Sequence, residues 1–151
     1  MNKSGLGFLS IQVPGWLLLF YLLYAQAIPA LDYDLGVAMG TQEPAENVTE
    51  VGVAFWYGFA FGDLVIYIPL LAFGLIGYGL GHRWGRVTLI AALGITIYWP
   101  VVCLAAVVVA RAAPGWTLPN ENAYWLVLPV IAAWAAWGLW QMAREPGVSP
   151  A

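Results

Sequence analysis

Asp63 is the residue whose position most demands a chemical reason. It is the one charge in residues 52–81, GVAFWYGFAFGDLVIYIPLLAFGLIGYGLG. At 1.5 Å per residue about 20 residues cross the ~30 Å hydrocarbon core, so this run spells a membrane-spanning helix. A carboxylate at mid-helix costs roughly 2.5–3.5 kcal/mol on insertion scales. Groups so placed default to counter-ions, proton carriers or ligand anchors. The competing reading is an Asp63 hydrogen-bonded to Tyr67, one turn on, that only ties helices together. A 3.6-residue period sets Trp56, Tyr67, Gly74 and Tyr78 on the Asp63 face. That face is aromatic, polar and small; the opposite one is aliphatic and rich in Phe.

Other segments bring polar groups to the same depth. Thr96, Tyr98, Trp99 and Pro100 reach mid-membrane from a third apolar segment, with Cys103 one turn further out. Tyr21, Tyr24 and Gln26 fall in the outer half of the first. The candidate ligand-binding set is therefore Asp63, Tyr67, Trp56, Tyr98, Trp99, Thr96 and Tyr24, against the alternative that these are packing contacts. Pro14, Pro69, Pro100 and Pro129 lie one in each segment. Each frees the carbonyl four residues earlier, at Ser10, Val65, Thr96 and Trp125.

No residue pattern calls for catalysis, a metal or a cofactor. Cys103 is the single cysteine, which excludes an internal disulfide and a paired-thiol redox mechanism. No acid–base pair, nucleophile–base pair or metal triad is visible, which makes an enzyme the least favoured reading without closing it. Asp32, Asp34, Glu43, Glu46 and Glu50 crowd one loop but lack the glycine and spacing of a calcium loop. They read as a solvated acidic surface, or as a lure for cations above the Asp63 pocket. His82, beside Arg83, Trp84 and Arg86, has no partner for haem or zinc and reads as a headgroup-facing turn. Gly58 and Gly62 form a G-x-x-x-G packing motif, within the bundle or in a homodimer. Trp134, Trp137 and Trp140 read as lipid or partner anchors.

The elements that hold these residues follow from composition. The chain is 62% hydrophobic and 9% charged, whereas a soluble domain carries about a quarter charged residues. With a mean hydropathy of +0.79, this is an integral membrane protein. A net charge of −3 without a basic cluster excludes nucleic acid as a partner. Nine Trp and eight Tyr imply interfacial anchors among them.

Four apolar segments, about 7–29, 52–80, 87–110 and 122–142, are each long enough to span. The expected fold is a single all-α membrane domain over 1–151, a four-transmembrane-helix up-down-up-down bundle. Residues 30–51 form its outer acidic loop and 145–151 a disordered tail. Pro44 can open a helical turn capped by Glu43, so the second helix projects beyond the bilayer. Lys3, Arg83, Arg86 and Arg144 fall on one side and Arg111 on the other. The positive-inside rule then places both termini in the cytoplasm, in what reads as a bacterial inner membrane. Lys3, the first apolar run and Ala25-Gln26-Ala27 also have the outline of a cleavable signal, but the run is long for one and Pro29 follows the cut.

Three functions stay open at this stage. The favoured one is binding or transport of a cationic or amphipathic small ligand in a pocket around Asp63. The second is an accessory or assembly subunit of a larger membrane complex, and the third is a lipid-modifying enzyme. Expected partners are membrane lipids, a small-molecule ligand, and a second copy or larger assembly. No known family's motifs can be placed on these residues one by one.

Overall fold

The computed structural model describes residues 5–144. Lys3 and the tail expected to be disordered lie outside the described residues. Four helices are long and apolar enough to cross a membrane: α1 (Leu6–Leu31), α3 (Ala45–Leu80), α4 (Arg83–Ala110) and α5 (Glu121–Arg144). A short α2 (Tyr33–Ala38) sits between the first two. There is no strand among the described residues. The all-α, four-span bundle is thus what the apolar runs demanded, with each helix longer than its apolar core.

The helices form a ring in which α4 packs between α3 and α5, and α1 lies along α3. The seam between α1 and α5 is the thinnest. The α3–α4 hairpin owes its closeness to glycine. Gly81 closes α3 at φ 82°, with His82 N–H donating to Gly77 O and Gly81 N–H to Tyr78 O. These paired bonds satisfy carbonyls that the helix end leaves open. His82 then starts α4 in an extended conformation. A Cβ on Gly85 would lie 2.1 Å from the Gly77 carbonyl carbon, and one on Gly74 2.8 Å from Leu89 Cα. The close approach therefore uses Gly74, Gly77 and Gly85. At Gly58 and Gly62 a Cβ would meet nothing within 4 Å, so that motif packs no helix of the bundle.

Proline chemistry ties α5 to α1. Pro14 offers no N–H to Ser10 O, and that oxygen accepts from Trp134 Nε1 at 2.8 Å. Trp134 is thus an interhelical tie rather than only an anchor to lipid. Arg144 lies 3.6 Å over the Trp140 ring, and Arg86 donates to Met142 O, joining the ends of α4 and α5. This is the basic end of the bundle.

The opposite end is acidic, and its loop is more ordered than an apolarity profile can reveal. Asp32 caps α2 by accepting from Leu35 N–H at 3.0 Å. Among the described residues no group of His, Cys, Asp or Glu is placed to hold a metal. Tyr33 OH donates to Glu43 O at 3.0 Å; burial and the Glu43 carboxylate push that phenol up to about 12. Pro44 does precede α3, but Glu43 does not cap it; its carboxylate accepts from Asn47 Nδ2. At Thr49 the chain leaves helical geometry (φ 64°, ψ 166°), and Thr117 N–H donates to Asn47 O at 2.7 Å, docking the α4–α5 loop there.

Candidate functional site

Two spans lose their α-helical register at the same depth. In α1, Leu23–Ala27 forms a π turn, and in α3, Asp63–Tyr67 forms another. Each precedes a proline by two residues, Pro29 and Pro69. A proline removes the N–H that the α ladder would use, and a π turn absorbs the lost register by bonding five residues back. Ile68 N–H accordingly donates to Asp63 O. In α1, Pro29 has no N–H for Ala25 O, and the Gln42 side chain donates to that oxygen at 3.0 Å. The two π turns touch each other. π turns of this kind are common at functional sites because they re-aim a side chain without ending the helix.

Asp63 opens the α3 π turn. It lies about 26 Å of helix from Leu80 and about 20 Å from Glu50, well inside the apolar run. It is 7% exposed, and no hydrogen bond to its carboxyl is present among the described residues. The tie to Tyr67 that sequence spacing allowed is not made. Tyr67 instead reaches Thr96 on α4, its hydroxyl 2.5 Å from Thr96 Oγ1. Thr96 Oγ1 donates its single proton to Ala92 O at 2.8 Å, which makes Tyr67 the donor across the helices. Both side chains are buried, and their hydroxyls are satisfied.

A cavity of about 420 Å³ lies between Asp63 and the acidic end. Its deep part is lined by Asp63, Trp56, Trp99 and Cys103, and its mouth by residues 39–43 and Asn120. Tyr21 and Tyr24 of α1, Phe59 of α3 and Tyr124 of α5 supply the aromatic wall. The indole N–H groups of Trp56 and Trp99 are buried without a hydrogen-bond partner. Trp99 lies beside the Tyr67 hydroxyl but outside hydrogen-bond geometry. Among neutral donors such orphans are rare, since leaving one unpaired costs about 1–3 kcal/mol.

Of the seven residues singled out from sequence, Asp63, Trp56, Trp99 and Tyr24 line this cavity. Tyr67 and Thr96 stand behind it as a polar lock between α3 and α4. Tyr98 is 65% exposed on the outer face of α4, because one residue turns a helix by 100° and Trp99 takes the inward position. Glu43 comes from the acidic loop read as a lure above the pocket, whereas Gln42, Asn120 and Tyr124 were not expected. Loop residues give no periodic signal; Gln42 and Glu43 are brought over the cavity by the bond from Gln42 to Ala25 O, and the Asn120 loop docks through Thr117 N–H on Asn47 O. Gln12 was also missed: an isolated amide in an apolar run, it is buried, donates to Leu75 O at 3.0 Å and accepts from Trp16 Nε1. Its polarity was the available signal.

Set against models of known protein families, curated proteins and solved structures, the chain matches none.

Proposed function

We propose that this small polytopic membrane protein binds, and moves across the bilayer, a cationic or amphipathic small ligand held at Asp63. The observation that carries this reading is a buried carboxyl without a hydrogen bond, at the foot of an aromatic-walled cavity. A helix-tying acid would accept bonds from its neighbours; Asp63 accepts none among the described residues, while the adjacent Tyr67 and Thr96 hydroxyls bond to Thr96 Oγ1 and Ala92 O. The apolar surroundings penalise the carboxylate by roughly 2.5–3.5 kcal/mol, which a bound cation offsets. Aromatic faces add about 0.5–2 kcal/mol each for a desolvated cation. In this reading Asp63 anchors the charge, Trp56, Trp99, Tyr24 and Tyr124 form the walls, and Glu43 draws cations to the mouth. Arg83, Arg86 and Arg144 at one end against Arg111 at the other support cytoplasmic termini in a bacterial inner membrane.

The decisive measurement is equilibrium binding of radiolabelled tetramethylammonium to the protein in lipid nanodiscs. Asp63→Asn keeps the side-chain shape and removes the ionisable proton. It is expected to weaken binding at least tenfold while leaving thermal stability unchanged or higher. Binding that survives Asp63→Asn unchanged, or no binding by the native protein, sinks the reading.

A second reading, assembly with another subunit, is favoured by one observation. Gly58 and Gly62 present a small-residue face on α3, of the kind close helix docking uses, that no described residue approaches.

A further inference from the structure

A second, apolar space flanks the Asp63 cavity on the side of the bundle. A groove of about 300 Å³ lies along the thin seam between α1 and α5. Pro14, Leu17 and Leu18 form one bank, and Val130, Ile131 and Trp134 the other. Tyr21 and Val127 line both the groove and the Asp63 cavity, so the two spaces are neighbours across these two side chains. From Pro14 to Tyr21 the groove follows α1 for about 10 Å. Its far end is closed by Trp134, whose indole is held on Ser10 O. The banks face outward: Leu17 and Val130 are 65% and 64% exposed at hydrocarbon depth.

Building on the ligand-binding reading above, we propose that this groove holds the alkyl chain of the ligand. The ligand is then a single-chain cationic amphiphile that enters sideways from the bilayer, its head at Asp63 and its tail between α1 and α5. Three features support that occupant over a protein helix. The groove adjoins a polar cavity across Tyr21 and Val127, as one molecule with a charged head and an apolar tail requires once those two side chains part. Its walls carry only apolar surface beyond Tyr21, apart from the Trp134 indole N–H, which Ser10 O occupies. At this depth the surrounding medium is itself hydrocarbon chain, and a space left unfilled against lipid forfeits its dispersion contacts. The π turn of α1 lies just beyond the junction, so the helix changes register where head gives way to tail. A wholly water-soluble cation would have no use for the apolar groove.

The test is competition against labelled tetramethylammonium in nanodiscs, using alkyltrimethylammonium ions of increasing chain length at measured free concentration. Nanodiscs without protein correct for partition into lipid. Affinity is expected to rise at least tenfold between tetramethylammonium and the octyl derivative. Val130→Trp, which fills the outward-facing bank, is expected to remove most of that gain and leave tetramethylammonium binding within twofold of native. Tetramethylammonium binding without any gain from chain length overturns the inference while the Asp63 reading stands. A gain that Val130→Trp leaves untouched does the same and assigns the groove to surrounding membrane lipid. Failure of every ammonium probe to bind overturns both.

Discussion

Tyr67 separates two accounts of the Asp63 face. Spacing alone made it a partner or neighbour of the carboxyl, whereas its hydroxyl crosses to Thr96 on α4. A side chain that is 1% exposed and already hydrogen-bonded has little to offer a ligand. Its role is to hold α3 and α4 in the register that leaves Asp63 facing the cavity. Interhelical hydrogen bonds in membranes average about 0.6 kcal/mol. Tyr67→Phe should therefore lower stability by about that amount, read as a small fall in Tm, and leave tetramethylammonium affinity within twofold. A large loss of affinity with a native-like Tm would return Tyr67 to the ligand set. Asp63 and Cys103 share the deep wall, yet only the acid has no apolar excuse for being there. A free cysteine behaves as a small hydrophobe and needs no partner.

At the scale of elements, prolines and glycines divide the work. Prolines 14 and 29 each cost a ladder bond, and in each case a side chain from elsewhere in the fold donates to the carbonyl affected. The damaged ladder thereby becomes a docking point, for α5 through Trp134 and for the acidic loop through Gln42. Glycines make contact possible where backbones nearly touch. Gly85→Ala puts a methyl 2.1–2.3 Å from the Gly77–Tyr78 peptide, which is backbone and cannot step aside. Forced overpacking of this kind costs about 1–3 kcal/mol or more, so a marked loss of Tm or of folded yield is expected. Gly58→Ala meets no atom within 4 Å and gains helix propensity worth up to about 1 kcal/mol. It should be neutral or stabilising. If Gly58→Ala is the harmful change, or alters oligomeric mass, the open glycine face is an interface between subunits.

For the whole molecule the governing feature is polarity along the bundle axis. One end carries Arg83, Arg86 and Arg144; the other carries the acidic loop, the cavity mouth and Arg111. On the proposed reading, the acidic mouth faces outside the cell, where it would draw in cations, and the basic end faces the cytoplasm. With Cys103 replaced, Glu46→Cys should react with an impermeant thiol reagent applied to intact cells, and His82→Cys should not. The reverse pattern would invert the protein and place the cavity mouth inside. The thin α1–α5 seam belongs to this scale too. α5 is the least enclosed of the four spans, which leaves the ring easiest to open on the side where the groove lies.

Apolar run length was enough to determine the membrane class, the number of spans and the all-α fold, because hydrocarbon allows a lone segment no other way to satisfy its backbone. The anomaly of Asp63 was legible for the same reason: a charge stands out where every neighbour is apolar. Periodicity placed Trp56 on its face and set Trp99 with Thr96 and Cys103, apart from Tyr98, but could not say which of those two faces turns inward. Which of the two turns inward depends on how α4 is rotated, and that is set by Gly85 meeting Gly77 and by Thr96 meeting Tyr67. The π turns could not be read from sequence either, because Pro29 and Pro69 permit a kink, a bulge or a helix end with equal ease. Tertiary contacts chose among these: the two turns pack on each other, and Gln42 reaches Ala25 from a loop seventeen residues away. The cavity exists only because those long-range contacts hold the loop over a widened helix pair, a relation between segments that no single segment encodes.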